Sequence, residues 1–197
     1  DAEPFTPRRL FIVPVATNAA ALGHRVDGVL GTDFLSRYNV EFDFGRGRLV
    51  LHVGTAAELP PDHAMAPMRV DANRPLVRAA ITLPDDTQVV ASLLVDTGSN
   101  ARSSLNSPFV RTHRLTRFPS LGLTATLGIN GVTTASVARL RTLDLGGLVI
   151  DRPELALSSA ASGMNADATF DGILTTDLLG RFHLFVDYHG SRLVLAR

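Results

Sequence analysis

The feature that most constrains this 197-residue chain is an internal repeat. Residues 26–53 align without gaps on residues 170–197, at an offset of 144, and 12 of the 28 aligned positions are identical. Composition alone gives about two identities in an alignment of this length. The alignment therefore predicts that one structural unit is built twice, with the same order of elements in each copy.

Each copy carries the same local signals. A short apolar strand, at residues 29–30 or 173–174, is expected to be buried. A threonine, Thr32 or Thr176, is then expected to cap a helical turn. An antiparallel hairpin follows, closed by a glycine-containing turn. The predicted hairpin arms are 40–44 and 48–52 in the first copy, and 184–188 and 192–196 in the second.

The sequence between the copies favours short strands. Residues 54–66 contain two adjacent prolines among small and polar residues, which is typical of a linker. Residues 88–95 are apolar enough for a strand that is buried on both faces. Further strands are predicted at 76–83 and 139–145, whereas only 107–115 and 176–181 have a helical pattern. The prediction is an all-β chain divided into residues 1–53, a linker at 54–66, and a complete domain at 67–197.

Composition excludes several classes of function. The 19 basic residues are all arginine and equal the acidic residues in number, so no net charge favours nucleic acid as a partner. The absence of lysine and cysteine excludes Schiff-base and thiolate chemistry. The six histidines have no metal-ligand spacing, so neither a metal nor another cofactor is expected. No apolar run is long enough to predict a membrane span.

One motif carries recognisable chemistry. The apolar strand at 88–95 runs directly into Asp96-Thr97-Gly98-Ser99. A carboxylate at the exit of a buried strand is costly unless hydrogen bonds or a shared proton compensate for its desolvation. We expect the Gly98 N–H to approach the carboxylate, the Thr97 hydroxyl to hold the loop, and the Ser99 hydroxyl to donate to the carboxylate. Such a donor from Ser99 would lower the pKa of Asp96 and favour an acidic activity optimum.

This motif resembles the catalytic loop of retropepsin-like aspartic proteases, in particular their bacterial aspartyl protease branch. The family's late motif of two apolar residues and a glycine is matched at residues 29–31 (VLG), and at 173–175 (ILT) with Thr175 in the glycine position. Residues 124–134 stand where the family has a glycine-tipped flap, with Gly128, Ile129, Asn130 and Gly131 at the tip. The resemblance implies an acid-protease barrel at 67–197, with a short helix after the late motif, and the C-terminal half of a second lobe at 1–53.

The resemblance also implies an activity, namely cleavage of extended peptides by an aspartic endopeptidase without a cofactor. Two aspartates share a proton in this mechanism and activate a water molecule. The position equivalent to Asp96 in the first copy falls ahead of residue 1, so the second aspartate is expected from the mate in a homodimer or from an upstream lobe. The alternative is a non-catalytic module for peptide binding or dimerisation. A periplasmic or secreted location is implied by resemblance alone.

Other charged residues in the repeat have structural interpretations. Asp27 and Asp171 precede glycines and are expected to form Asx turns at the strand entrance. Asp43 and Asp187 lie in the hairpins, where they are expected to face solvent or to pair with arginines at 37 and 48 or at 181 and 192. For Arg37 and Arg181 two interpretations stay open, a link to the catalytic loop or a partner at the C-terminal end of a helix.

Overall fold

A computed structural model describes residues 25–54, 58–128 and 131–197, and it confirms the all-β prediction. The helices are short: α1 (Thr32–Leu35), α2 (Ser107–Thr112) and α3 (Thr176–Leu179), with single 3-10 turns at Leu115–Arg117 and Met164–Ala166. The first seven strands are β1 (Asn39–Asp43), β2 (Arg48–His52), β3 (His63–Asp71), β4 (Arg74–Thr82), β5 (Gln88–Val95), β6 (Ser104–Leu105) and β7 (Gly122–Gly128). The others are β8 (Gly131–Arg139), β9 (Thr142–Leu145), β10 (Leu148–Asp151), β11 (Glu154–Ser158), β12 (Gly172–Leu174), β13 (His183–Asp187) and β14 (Arg192–Ala196).

The strands form one continuous sheet in the order β2-β1-β13-β14-β3-β4-β5-β12-β6-β11-β8-β7, with β9 added beside β4 and β10 beside β9. Most neighbours are antiparallel. The exceptions are β12 on β5 and β6 on β11, which run parallel. The long β3 joins the two parts of this order, because it pairs with β14 through its first half and with β4 through its second.

The two hairpins β1–β2 and β13–β14 lie side by side and have the same register. Asn39 pairs with His52 in the first hairpin, and His183 pairs with Ala196 in the second, which is the same pairing shifted by 144 residues. Between the hairpins Glu41 stands opposite Phe185, its own counterpart in the repeat. The hairpins are therefore related by a local two-fold axis through the middle of the β1–β13 pair.

Alternation along these strands separates an apolar face from a polar one. In the hairpin sheet Val40, Leu184 and Leu195 point to one side and are completely buried. Their neighbours on the other side include Glu41, His52 and His183, which form a hydrogen-bonded group. The apolar face joins the core of the complete domain, so the first hairpin packs as part of the same body. Other fully buried side chains of that core are Ile81, Leu105, Leu115, Leu143, Leu145 and Leu179.

The predicted strand at residues 29–30 is wrong. Val29 and Leu30 are 73% and 63% exposed, and residues 28–30 are not in a strand. Their counterparts in β12 are held between β5 and β6. The apolar pattern is the same in both copies, but none of the described segments lies beside residues 28–30 as β5 and β6 lie beside β12. A strand of three residues forms only where neighbouring strands satisfy its backbone groups.

Other boundaries differ from the prediction for local reasons. β3 begins at His63, inside the segment predicted as a linker, because its first residues pair with β14. The strand predicted over 139–145 is interrupted where the Leu140 and Arg141 N–H groups donate to other segments. β5 is exposed at its start and becomes fully buried only towards its end.

The threonines expected to cap the helical turns are instead the first helical residues. Gly31 and Thr175 occupy the N-cap positions, and neither of these residues makes a side-chain cap hydrogen bond. The Thr176 hydroxyl donates to the Ser99 carbonyl, so it links α3 to the loop after β5.

Candidate active site

Asp96 is placed by the end of β5 and by its parallel neighbour β12. Leu93, Leu94 and Val95 of β5 are buried, and Val95 pairs with Leu174. The ladder extends one residue further, because the Asp96 N–H donates to the Leu174 carbonyl over 2.8 Å. The late motif therefore holds the backbone of Asp96, and the side chain leaves the sheet where the loop begins.

The carboxyl group of Asp96 lies in an environment that disfavours its charge. Burial raises the pKa of Asp96 above its ordinary value, while the Gly98 N–H, which donates to Oδ1 over 3.0 Å, acts in the opposite direction. The expected approach of Gly98 is thus present. A carboxyl group with a raised pKa retains a proton more readily, which suits a group that must act in both protonation states.

Ser99 does not take the position expected for it. Its hydroxyl oxygen accepts a hydrogen bond from the Ala101 N–H over 3.3 Å, and its carbonyl accepts from the Thr176 N–H and hydroxyl. Asp96 is influenced by burial and by Gly98, with no contribution from Ser99. The prediction that Ser99 lowers the pKa of Asp96 is therefore wrong for this chain, because the Ser99 side chain turns back onto its own loop.

Thr175 ties the site together, although the sequence indicated only that it replaces a glycine. It is 3% exposed, and its hydroxyl group lies within hydrogen-bond distance of two acceptors, the Ala101 carbonyl and, at 2.8 Å, Oδ1 of Asp177, which share its single proton. Its N–H donates to Oγ of Ser103, whose hydroxyl in turn donates to Asp177. This network joins the loop after Asp96 to the start of α3. Sequence analysis did not find Ser103 or Asp177, because no motif links residues about 74 positions apart.

The side chain of Asp96 faces a small cleft of about 80 Å³, which several serine and threonine residues line together with apolar ones. One wall is the β7–β8 hairpin, which stands where the flap was predicted and pairs Gly128 with Gly131 at its end. The remaining two tip residues, Ile129 and Asn130, lie outside the described part of the chain. Beside Asp96 and Ser99, the cleft is lined by Arg102, Ser104, Thr126, Thr133, Thr134, Ser158, Asn165, Ile173 and Thr175.

The acidic residues of the repeat have structural partners. Asp171 does not form the expected Asx turn, because its carboxylate accepts from the Ser92 N–H of β5 over 2.7 Å. Asp187 binds Arg192 as expected, over 2.7 Å, but it is buried and also accepts from the N–H of a residue in its turn. Asp43 makes the equivalent turn contact and pairs with Arg46.

The remaining repeat residues behave differently in the two copies. Asp27 is exposed and pairs with Arg25. Arg181 donates to the Asp177 carbonyl, which is the helix-end alternative.

Of the described helices none is long and apolar enough to cross a membrane.

Comparison with known proteins found matches among solved structures. The chain matches no protein-family model and no curated protein. Among solved structures, it is similar to a retropepsin-like aspartic protease. That protein comes from Rickettsia conorii; the match has 16% sequence identity and a TM-score of 0.45, and it covers 68% of this chain and 89% of that one. A likeness at this level concerns the fold and says nothing about activity or substrate.

Proposed function

We propose that this chain forms one side of an aspartic endopeptidase, with Asp96 as one of two catalytic carboxyl groups. The observation that carries the proposal is the environment of Asp96. Its backbone is fixed by β12, its carboxyl group has a pKa raised by burial, and it opens into a cleft below a two-stranded hairpin. An ordinary turn aspartate gains nothing from such a position, whereas a proton-transferring group requires one.

The proposed chemistry needs a second carboxyl group close to Asp96. Two adjacent carboxylates cannot both be ionised, so they share one proton. The ionised member takes a proton from a water molecule, and that water attacks the carbonyl carbon of the scissile peptide bond. The protonated member donates its proton to the carbonyl oxygen, which gives a neutral tetrahedral intermediate. When the intermediate collapses, the C–N bond breaks, the leaving nitrogen takes the proton that the first carboxyl group received from water, and the second carboxylate takes back a proton from a hydroxyl group of the intermediate.

The peptide is proposed to lie extended between Asp96 and the β7–β8 hairpin. Extended chains are bound largely through backbone hydrogen bonds. Thr126 and Thr133, which pair across the hairpin, and Ser104 and Ser158 across the cleft from them carry hydroxyl groups that are proposed to serve as polar partners for the peptide. This arrangement supports binding of peptide main chains of varied sequence.

We propose that the second aspartate comes from a segment that completes the first copy. In the second copy the Asp96 N–H donates to the Leu174 carbonyl, and the sequence repeat aligns Leu174 with Leu30. The partner aspartate would then donate its N–H to the Leu30 carbonyl. The exposure of Val29 and Leu30 supports this position, since a strand equivalent to β5 would cover both side chains. The alternative is a homodimer in which two Asp96 carboxyl groups meet.

The second candidate function is a non-catalytic module that binds peptides or a partner. It is favoured by the presence of a single Asp-Thr-Gly in the sequence. Both candidate functions use the Asp96 cleft to bind a peptide. They differ because only the endopeptidase cleaves the peptide, and that cleavage requires Asp96.

The test is cleavage of a quenched fluorescent peptide library between pH 3 and 7 by the wild type, by Asp96→Asn and by Asp151→Asn. Asp151 is an exposed acid that does not line the Asp96 cleft, so its variant is the matched control. With the segment that completes the first copy present, we expect cleavage by the wild type and the control, inhibition by a statine-type peptide, and a loss of at least about 1,000-fold for Asp96→Asn. Cleavage retained by Asp96→Asn excludes this mechanism, and peptide binding without cleavage favours the module.

A further inference from the structure

A second cleft lies next to the Asp96 site and is strongly basic. It has a volume of about 450 Å³ and is open to solvent. Its charged walls come from four separate parts of the chain: the loop after Asp96, the end of β8, the β10–β11 turn with the start of β11, and α3 with the residues after it. The charged residues that line it are Arg102, Arg139, Arg152, Glu154, Asp177 and Arg181.

The charges in this cleft do not balance. Four guanidinium groups face two carboxylates, which leaves a net charge of +2. Glu154 is shared by Arg102 and Arg139, with N–O distances of 3.1 and 2.5 Å. These two arginines hold the pKa of Glu154 below its ordinary value, Arg139 contributing most, so the carboxylate stays charged. One carboxylate therefore serves two cations.

The other two arginines have no carboxylate partner among the described residues. Arg181 uses Nε to bind the backbone carbonyl of Asp177, over 3.1 Å. The Asp177 carboxylate is engaged by the hydroxyl groups of Ser103 and Thr175. Arg152 is exposed and has a φ of +48°, in the left-handed region that a non-glycine residue adopts at a cost.

The basic cleft and the Asp96 cleft share a wall. Arg102 lines both, and the Ser103–Thr175–Asp177 network lies between them. A peptide bound at Asp96 would therefore pass within side-chain reach of the guanidinium groups. Side chains of an extended peptide alternate between two sides, so one or two residues would point towards this cleft. Guanidinium groups bind carboxylates through paired hydrogen bonds.

We propose that the cleft formed by Arg102, Arg139, Arg152 and Arg181 binds an aspartate or glutamate side chain of the peptide substrate and makes the protein selective for acidic peptides. This inference rests on the proposed function, because it takes the peptide to lie at Asp96. It is distinguishable from that function, because binding is measurable without cleavage.

The experiment measures binding of fluorescein-labelled peptides to Asp96→Asn protein by anisotropy. The peptides form matched sets with Glu, Gln or Lys at one position at a time. We expect Glu peptides to bind about 10-fold more tightly than Gln peptides at one or two positions, and the preference to shrink about 3-fold or more between 0.05 and 0.5 M NaCl. A phosphoserine set shows whether the cleft prefers a carboxylate or a phosphoryl anion, and the proposal expects Glu to bind at least as well.

The variant that tests the residues is Arg152→Asn with Arg181→Gln, since asparagine tolerates the backbone conformation at 152. We expect it to lose about 5- to 10-fold in affinity for the Glu peptides and none for the Gln peptides. The control Arg78→Gln removes an exposed arginine of β4 that lines neither cleft, and it should keep the full preference.

Three outcomes overturn the proposal: equal binding of Glu and Gln peptides at every position, no measurable binding of any Glu peptide, or a preference that survives in the double variant. Cleavage by the Asp96-containing protein is measured with the same peptides. Cleavage without acidic preference contradicts this inference and leaves the proposed function standing. Acidic preference without cleavage, measured with the segment that completes the first copy present, contradicts the proposed function and leaves the cleft standing.

Discussion

Two glycines at equivalent positions in the repeat stand in opposite environments, which provides a test with an internal control. An ideal Cβ on Gly172 would lie 2.2 Å from the Ser104 carbonyl oxygen and 3.1 Å from Cα of Leu105. Both atoms belong to the backbone of β6, so neither can rotate away. An ideal Cβ on Gly28, 144 residues earlier, would meet nothing within 4 Å. The two substitutions are chemically identical, and only the surroundings differ.

The magnitude follows from these contacts. Overpacking a filled site costs about 1–3 kcal/mol, and a clash with backbone places Gly172→Ala at the upper end. Gly28→Ala has no clash and restricts the unfolded chain, so it should change the free energy of unfolding by about 0 to +1 kcal/mol. We expect the two variants to differ by about 3 kcal/mol, which for a chain of this length corresponds to about 6–12 °C in Tm.

The assay is urea and thermal unfolding followed by circular dichroism, with both variants and the wild type at one protein concentration. A loss of less than about 1 kcal/mol for Gly172→Ala would refute the argument that β12 is enclosed by β5 and β6. An equal loss for Gly28→Ala would mean that the residues around 28 are enclosed as well. If Gly28→Ala shows this loss only when a partner segment is added, the partner lies beside the first copy.

Three further predictions concern stability. Thr175→Val should cost about 2–3 kcal/mol in urea unfolding, because it removes a buried hydroxyl donor from Ala101 and Asp177. Burial opposes the charge of Glu41, but hydrogen bonds from two histidines outweigh it and lower the pKa of Glu41. Glu41→Gln should therefore lower the free energy of unfolding by about 1–2 kcal/mol at pH 7. This loss should shrink progressively as pH falls through the pKa of the carboxyl group. The pKa of Asp96 is raised by burial, so the wild type should be more stable than Asp96→Asn at pH 3 and should lose that advantage as pH rises. A difference in the free energy of unfolding that stays constant from pH 3 to 7 would contradict the raised pKa.

Local sequence was sufficient to predict the hairpins and the position of Asp96. In both hairpins, alternation and a glycine turn fix the strands to within one residue at 39–43 and 183–187. Asp96 was located because an apolar strand that ends in an acid is informative without knowledge of its neighbours. These features depend on residues close together in the chain.

Burial that depends on distant segments could not be predicted in the same way. Residues 29–30 and 173–174 have the same apolar pattern, yet only the second pair has β5 and β6 beside it. The hydrogen bonds of Thr175 depend on the Ser103 hydroxyl and the Ala101 carbonyl, which lie in a loop more than 70 residues earlier that the fold brings beside it. The basic cleft is a stronger case, since its arginines come from four separate parts of the chain and form no motif.

The seam between the two hairpins shows why the copies are suited to pairing with each other rather than with themselves. Suppose that two β1–β2 hairpins paired with each other in the same geometry. Glu41 of one would then lie directly opposite Glu41 of the other, and two like charges in this position destabilise the pair. In the actual pair Phe185 stands opposite Glu41, and the Glu41 carboxylate lies 2.7 Å from Nε2 of His52 and 2.8 Å from Nε2 of His183. A β13–β14 hairpin paired with its own copy would leave His183 without this carboxylate. The seam thus favours the mixed pair over pairing of either hairpin with its own copy, and this supports the proposal that a segment completing the first copy supplies the second aspartate.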